Sequence, residues 1–305
     1  MDRTDRQFVS FAGWIAAHLL AYAAVAISIR YLATYFQIIE IAAIRSLGSL
    51  LIAGTLLLNS SRKMDIVDLH LVDDIRRSLL HLVGSLALIW SVVNLPLSFI
   101  STIEFSGPLF ATIIGWIAFR KRPERRTQVG LAMIALGCMA MFYHQGLAQN
   151  ATLVIPVIAV FILTVTNIML ANLARTRRVS SIIFVMHGIQ FPAYLLIVTV
   201  LSPEWLDQII TKARQWDAFS WVCVLVAASV LSFAGFVTQA ALANASRHGT
   251  PLQLCAADVL RLPLITVIGF VVFSEMIGAA QVILGLVIIA GAIIASLPGS
   301  EPRTP

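Results

Sequence analysis

The chain has 305 residues, of which 59% are hydrophobic and only 12% charged, with a mean hydropathy of +0.90 and a formal net charge of +6. This is not a soluble composition, and long apolar runs with short polar punctuation indicate a polytopic protein of the lipid bilayer. The positive balance calls for no nucleic-acid partner, and the three cysteines (Cys138, Cys223, Cys255) lie inside apolar runs with neither a disulfide framework nor metal spacing.

In chain order, ten spans are predicted at roughly 9–30, 36–58, 78–95, 98–119, 127–144, 151–173, 181–201, 218–241, 251–273 and 277–297. The first follows Arg3 and Arg6 and contains Ala-Tyr-Ala, as a signal peptide does. Its apolar stretch exceeds the usual core of about 7–15 residues, so it is read as retained. Between the second and third spans, residues 60–77 read as a cytoplasmic interfacial segment. Residues 202–217 place Trp205, Leu206, Ile209, Ile210, Ala213 and Trp216 three and four apart. That is an amphipathic helix on the outer interface, with a lid as the alternative.

Basic residues set the orientation. Arg62, Lys63, Arg76 and Arg77, the knot Arg-Lys-Arg-Pro-Glu-Arg-Arg at 120–126, and Arg175, Arg177 and Arg178 all fall on one side, with both termini. The other side holds only Arg30, Lys212 and Arg214. Positive-inside bias therefore predicts N-in, C-in.

The stretch from Pro96 to Tyr143 returns 155 residues later: Pro96-Leu97 falls on Pro251-Leu252, Pro108-Leu109 on Pro263-Leu264, Gly130-Leu131 on Gly285-Leu286 and Ala135 on Ala290. A fixed offset over several such residues is an internal repeat. Five spans per half is an odd number, so the second half enters the membrane inverted. The expected fold is an all-α integral membrane protein of ten transmembrane helices in two inverted five-helix repeats, 1–148 and 149–305.

Ten spans in two halves, Asn-Leu-Pro-Leu-Ser-Phe-Ile-Ser-Thr-Ile-Glu-Phe-Ser-Gly-Pro-Leu-Phe before a basic loop, and Asp-Val-Leu-Arg-Leu-Pro-Leu before a Gly-spaced last span resemble the drug/metabolite transporter superfamily, EamA type. The resemblance covers essentially the whole chain and implies a transporter of small metabolites in a bacterial-type inner membrane. It leaves the substrate open, because members move amino acids, vitamins, nucleotide-like metabolites and toxic cations. The family often closes its fourth and ninth spans with an acid; Glu275 matches the second position, whereas Arg120 occupies the first.

Ionisable groups inside spans cost a few kcal/mol and by default face protein or water. Arg45 and Glu104 lie about 12 Å and 9 Å below the outer ends of their spans at 1.5 Å per residue, deep enough to pair with each other. Asp258 and Arg261 are three apart on one helix and share a face. The four sum to zero charge. They read either as salt bridges locking helices or as a central site for a zwitterionic or polar substrate.

His18, one turn from Tyr22, and His187 are satisfied core histidines on one reading and proton carriers for coupled transport on the other. His81 is expected near the cytoplasmic edge. Gln190 and Gln239 offer hydrogen bonds to a ligand or between helices. Trp90 offers a stacking face, with aromatic packing as its plainer role. Pro108 and Pro263 are hinge candidates, since each breaks a helix ladder in mid-span. The Gly130/Gly137 and Gly285/Gly291 spacings read as close packing within the chain or in a homodimer.

These residues point to a secondary transporter of small organic metabolites, amino-acid-like or otherwise polar or aromatic, working by alternating access in the export direction without a cofactor. No phosphate-binding loop is present to drive it with ATP. A passive facilitator of the same fold is the alternative. An intramembrane enzyme is disfavoured because the ionisable residues are scattered singly along the sequence.

Overall fold

The computed structural model describes residues 3–59, 71–119, 124–144, 152, 154–249, 253–254, 257, 259–276 and 278–296. Every regular element among them is a helix. That follows from the composition, since apolar solvent offers a backbone no outside hydrogen-bond partner and the helix satisfies each segment internally. The helices are α1 (Arg3–Leu32), α2 (Ile38–Leu58), α3 (Leu71–Asn94), α4 (Leu97–Glu104), α5 (Gly107–Phe119), α6 (Arg125–His144), α7 (Val154–Thr176), α8 (Val179–Leu201), α9 (Trp205–Ala213), α10 (Ala218–Ala245), α11 (Arg261–Phe273) and α12 (Ala279–Ser296). Eight stretches of helix are long and apolar enough to cross a membrane, and two shorter apolar helices cover 263–273 and 279–295. The chain is a multi-pass membrane protein.

The helices form two compact units, each drawing on both halves of the sequence: residues 1–94 with 169–248, and residues 95–168 with 249–305.

In the first unit α1 packs along α10, α2 lies against both α8 and α10, and α3 lies against α8. Small residues permit this closeness: a Cβ on Gly48 would run into Ser232, and one on Gly235 would meet Arg45 Cγ at 2.9 Å. Helix α2 starts at a capping box in which Glu40 accepts from the Gln37 amide at 2.7 Å. Helix α9 is the predicted amphipathic helix. Trp216, just beyond it, packs edge-on against Tyr35, Phe36 and Trp221, with ring centroids 5.1, 5.8 and 4.9 Å away. Leu206 and Ile210 remain exposed.

In the second unit α6 and α12 run antiparallel at backbone contact. A Cβ on Gly130 would come 2.6 Å from Ala295 N, and one on Gly291 would come 2.7 Å from Gly130 O. Gly137 faces Ile288, whereas Gly285 has nothing within 4 Å, so three of the four predicted glycines pack within the chain. Helix α4 pairs antiparallel with α11, where Ser101 Oγ meets Thr266 Oγ1 at 3.1 Å.

Two spans differ from expectation. The fourth is interrupted at 105–106, between α4 and α5, and the ninth has a turn at 259–260 immediately before α11. Pro108 and Pro263 explain both. Each lacks an N–H for the carbonyl four residues earlier, Glu104 and Val259, and each sits in the first turn of the helix that follows. The two interruptions coincide under the 155-residue shift. Asp258, Cys255, the Pro251-Leu252 pair, residues 60–70 and the Arg120–Pro123 part of the basic knot lie outside the described residues.

Candidate functional site

In the first unit, the spacing of α3 puts Asp74, Arg77, Ser78, His81 and Ser85 on one face, three and four residues apart. The spacing of α8 does the same for Met186, His187, Gln190 and Tyr194. These faces meet and make a buried polar chain inside otherwise apolar helices.

At one end Arg177 donates from Nη1 to both carboxylate oxygens of Asp74, at 2.9 and 2.7 Å. One turn on, Arg77 is 1% exposed; it donates from Nη2 to Gln239 Oε1 at 3.0 Å and from Nη1 to the Met186 sulfur at 3.2 Å. Gln239 continues to His81 Nε2 at 3.2 Å, and His81 Nδ1 faces the Gln190 amide at 3.0 Å. Gln190 also donates to the Ser78 carbonyl at 2.9 Å. Beyond it, Ser46 Oγ meets His187 Nδ1 at 3.0 Å and Ser85 Oγ meets Tyr194 at 2.8 Å. Arg45 reaches the Tyr194 hydroxyl, close to Tyr22, and both His81 and His187 lie within the field of Arg45 and Arg77. The interruption of the α8 ladder by Pro192 frees the Gly188 carbonyl beside this cluster.

Of the predicted residues, Arg45, Tyr22, His187 and Gln190 are brought together here. His18 is buried next to them in sequence register with Tyr22 and donates from Nδ1 to the Thr238 carbonyl at 3.0 Å. Trp90 is half-buried further along α3, off the polar face. Two expectations are corrected. Arg77 is not a loop charge, nor is His81 interfacial: both are core groups. The signal was available in the three- and four-residue spacing from Asp74 to Ser85, which continues the third span seven residues before its predicted start.

The second unit carries the other charges. Glu104 closes α4 and forms an ion pair with Arg261 at 3.2 Å, both largely buried. Glu104 thus takes Arg261 as an ionic partner, where the sequence paired it with Arg45; the expected pairing of Arg261 with Asp258 falls on a residue outside the described ones. Seven residues earlier the Leu97 amide, exposed at the start of α4, donates to Glu275 Oε1 at 2.9 Å. The carboxylate caps a helix N-terminus, where the dipole favours negative charge. Glu275 is aimed there because Ser274 takes a left-handed turn at φ 54° and Gly269 leaves the space. Among the described residues, no three His, Cys, Asp or Glu side chains are grouped to hold a metal ion.

Charged and hydrogen-bonding groups buried between apolar helices are what a family of solute carriers would need, and comparison with known proteins agrees. Residues 10–143 match the profile of the EamA-like transporter family. Over that segment the chain is similar to the EamA-like transporter family. The EamA-like segment carries Tyr22, Arg45, Arg77, His81, Glu104 and Pro108. A protein of known crystal structure is similar over 94% of this chain and 96% of its own, with a TM-score of 0.64 and 13% identity, a likeness of fold alone. No curated protein matches the chain.

Proposed function

We propose that the protein is a secondary transporter of small organic metabolites across an inner membrane, working by alternating access and exporting its substrate. The buried polar chain from Asp74 to Tyr194 carries this reading. It holds cationic, imidazole and amide groups buried between apolar helices, and such groups inside spans are costly and mark substrate or proton pathways. On this reading Arg45, Tyr22, His187 and Gln190 contact substrate, His18 and His187 are the proton carriers, and Pro108 and Pro263 are the hinges.

The inverted ten-span repeat with both termini inside is part of the same reading. It is supported by three pairings between equivalent spans of the two halves, α2 with α8, α4 with α11 and α6 with α12. The antiparallel course of α6 and α12 is the parity that an odd number of spans per half requires. Interrupted helices at the same place in both halves fit the discontinuous spans on which transporters build their sites.

Reconstitution into proteoliposomes tests the reading. Labelled amino acids and organic acids loaded inside should leave against their gradient when a proton gradient is imposed, and a protonophore should abolish the uphill component. Downhill flux alone, unchanged by the protonophore, replaces the coupled exporter with a passive facilitator.

A further inference from the structure

We propose that Arg77 and Gln239, with Arg45 nearby, form an oxyanion-binding subsite for a carboxylate or phosphate group of the transported solute. The inference rests on the transporter reading only for the ligand's being a substrate; binding itself is tested separately.

The hydrogen bonds around His81 do not all close. A neutral imidazole has one N–H and one lone pair. Yet both ring nitrogens face an amide nitrogen, Nε2 the Gln239 amide at 3.2 Å and Nδ1 the Gln190 amide at 3.0 Å. Protonating His81 makes two conflicts of one. Turning the Gln190 amide sets its oxygen against the Ser78 carbonyl, which now accepts from its nitrogen at 2.9 Å. Turning the Gln239 amide sets its nitrogen against Arg77 Nη2, which now donates to its oxygen at 3.0 Å. One conflict survives every assignment. Along the facing pairs from Arg77 through Gln239, His81 and Gln190 to Ser78 there is one donor too many, while Gln190 Oε1, turned away from them, has no partner.

The surplus sits at Arg77. The guanidinium is 1% exposed, its Nε has no hydrogen-bond partner and its Nη1 has only a thioether sulfur, a weak acceptor. Charge tells the same story. Among the described residues neither Arg45 nor Arg77 has a carboxylate in ion-pair contact, because Asp74 is held through both oxygens by Arg177 Nη1 and Glu40 caps the Gln37 amide. Arg45 Nε is likewise without a partner. Asp74 still acts on Arg77 from beyond contact distance, but it is shared with Arg177, so the interior of this unit holds more positive charge than its carboxylates neutralise, which a dry helix bundle accepts poorly.

An oxyanion received by Arg77 resolves both imbalances at once. Gln239 is then released to turn, its oxygen accepting from His81 Nε2–H and its amide nitrogen joining Arg77 on the anion. His81 Nδ1 accepts from Gln190, which keeps its bond to Ser78. Every junction between facing pairs is then satisfied with His81 neutral and its proton on Nε2. A cationic or neutral solute does neither.

The test uses the purified full chain in detergent micelles and follows its thermal unfolding midpoint with succinate, inorganic phosphate or choline chloride at matched ionic strength. Saturable stabilisation by succinate assigns a carboxylate and by phosphate a phosphate, since a ligand of the native state raises stability by mass action. Choline should leave the midpoint unchanged. Arg77→Lys, which loses the planar fork, should weaken binding by about 10- to 100-fold. Gln239→Glu supplies Arg77 with a resident carboxylate, so it should raise the midpoint without ligand and remove the response to anions. The subsite is overturned if neither anion shifts the midpoint and Gln239→Glu gives no stabilisation, or if the anion shift persists undiminished in Arg77→Lys, the mark of adventitious surface binding. Stabilisation by choline alone also overturns it, while leaving the transporter reading intact. Anion binding that depends on Arg77 with no flux of that anion in proteoliposomes overturns the transporter reading and leaves the subsite standing.

Discussion

Replacing Gly269 by alanine should destabilise the protein, although alanine is the better helix former. In α11 the change is worth about 0.5–1 kcal/mol in favour of alanine if nothing lies nearby. Something does: the new Cβ would sit 2.7 Å from Glu275 Oε2 and 3.1 Å from its Cδ, with Leu97 Cβ at 3.4 Å. The carboxylate is the far end of a flexible side chain and can move, but only by leaving the Leu97 amide it holds at 2.9 Å. A hydrogen bond to a charged group contributes about 1.5–3 kcal/mol, so losing it outweighs the helical gain and leaves a net loss of about 1–2 kcal/mol. In a Glu275→Ala background the obstruction is gone, and Gly269→Ala should instead stabilise by about 0.5–1 kcal/mol. Equilibrium unfolding of the four variants in mixed detergent micelles reads this reversal of sign. Equal effects of Gly269→Ala in both backgrounds would refute the reasoning.

Other expectations follow from the same contacts. Glu104→Gln and Arg261→Gln should each cost about 3–5 kcal/mol by removing one member of a buried ion pair, and the double variant should be closer to wild type; a folded double variant devoid of transport in proteoliposomes would give the pair a direct role. Gly130→Val should push α6 from α12 and cost about 1–3 kcal/mol or more, seen as a lower unfolding midpoint, whereas Gly285→Ala should be neutral or better. Ser274→Gly should stabilise by about 0.5–1 kcal/mol by relieving a left-handed turn, measured the same way. Asp217 caps α10 by accepting from the Ser220 amide at 2.9 Å, and that bond, through the Ser220 side chain and backbone, holds its carboxyl below the usual range. Its contribution is therefore present above the ordinary carboxylate range and is lost as pH falls through the depressed value, so hydrogen exchange at the start of α10 should quicken in acid and Asp217→Asn should weaken that dependence.

Most of the helices were legible in the sequence because period and length carry them. Close packing of α6 and of α12 was legible too, in Gly130, Gly137 and Gly291, but not that the two helices pack on each other. Partner choice was not. Glu104 and Arg261 were correctly seen as charges inside spans, but their contact joins residues from opposite halves, and spacing along one helix says nothing about which neighbour it meets. Arg77 was misread for a different reason: it follows a polar segment, and a basic residue at the edge of an apolar run looks the same whether it faces cytoplasm or core. Only the face it shares with His81 and Ser85 separates the two. Glu275 matched a family position, yet its role depends on a left-handed turn at Ser274 that nothing local announces.

The Glu275 cap also has a consequence for how the protein is made. The Leu97 amide and the carboxylate that receives it are 178 residues apart. At a synthesis rate of about 5–20 residues per second, α4 waits roughly 10–35 s before its cap leaves the ribosome. During that interval the first half is already threaded into the bilayer with a helix end unsatisfied. A first half released early, by a truncated message or a stalled ribosome, would carry that open end permanently, and so would present membrane quality control with a mark that the finished chain does not have.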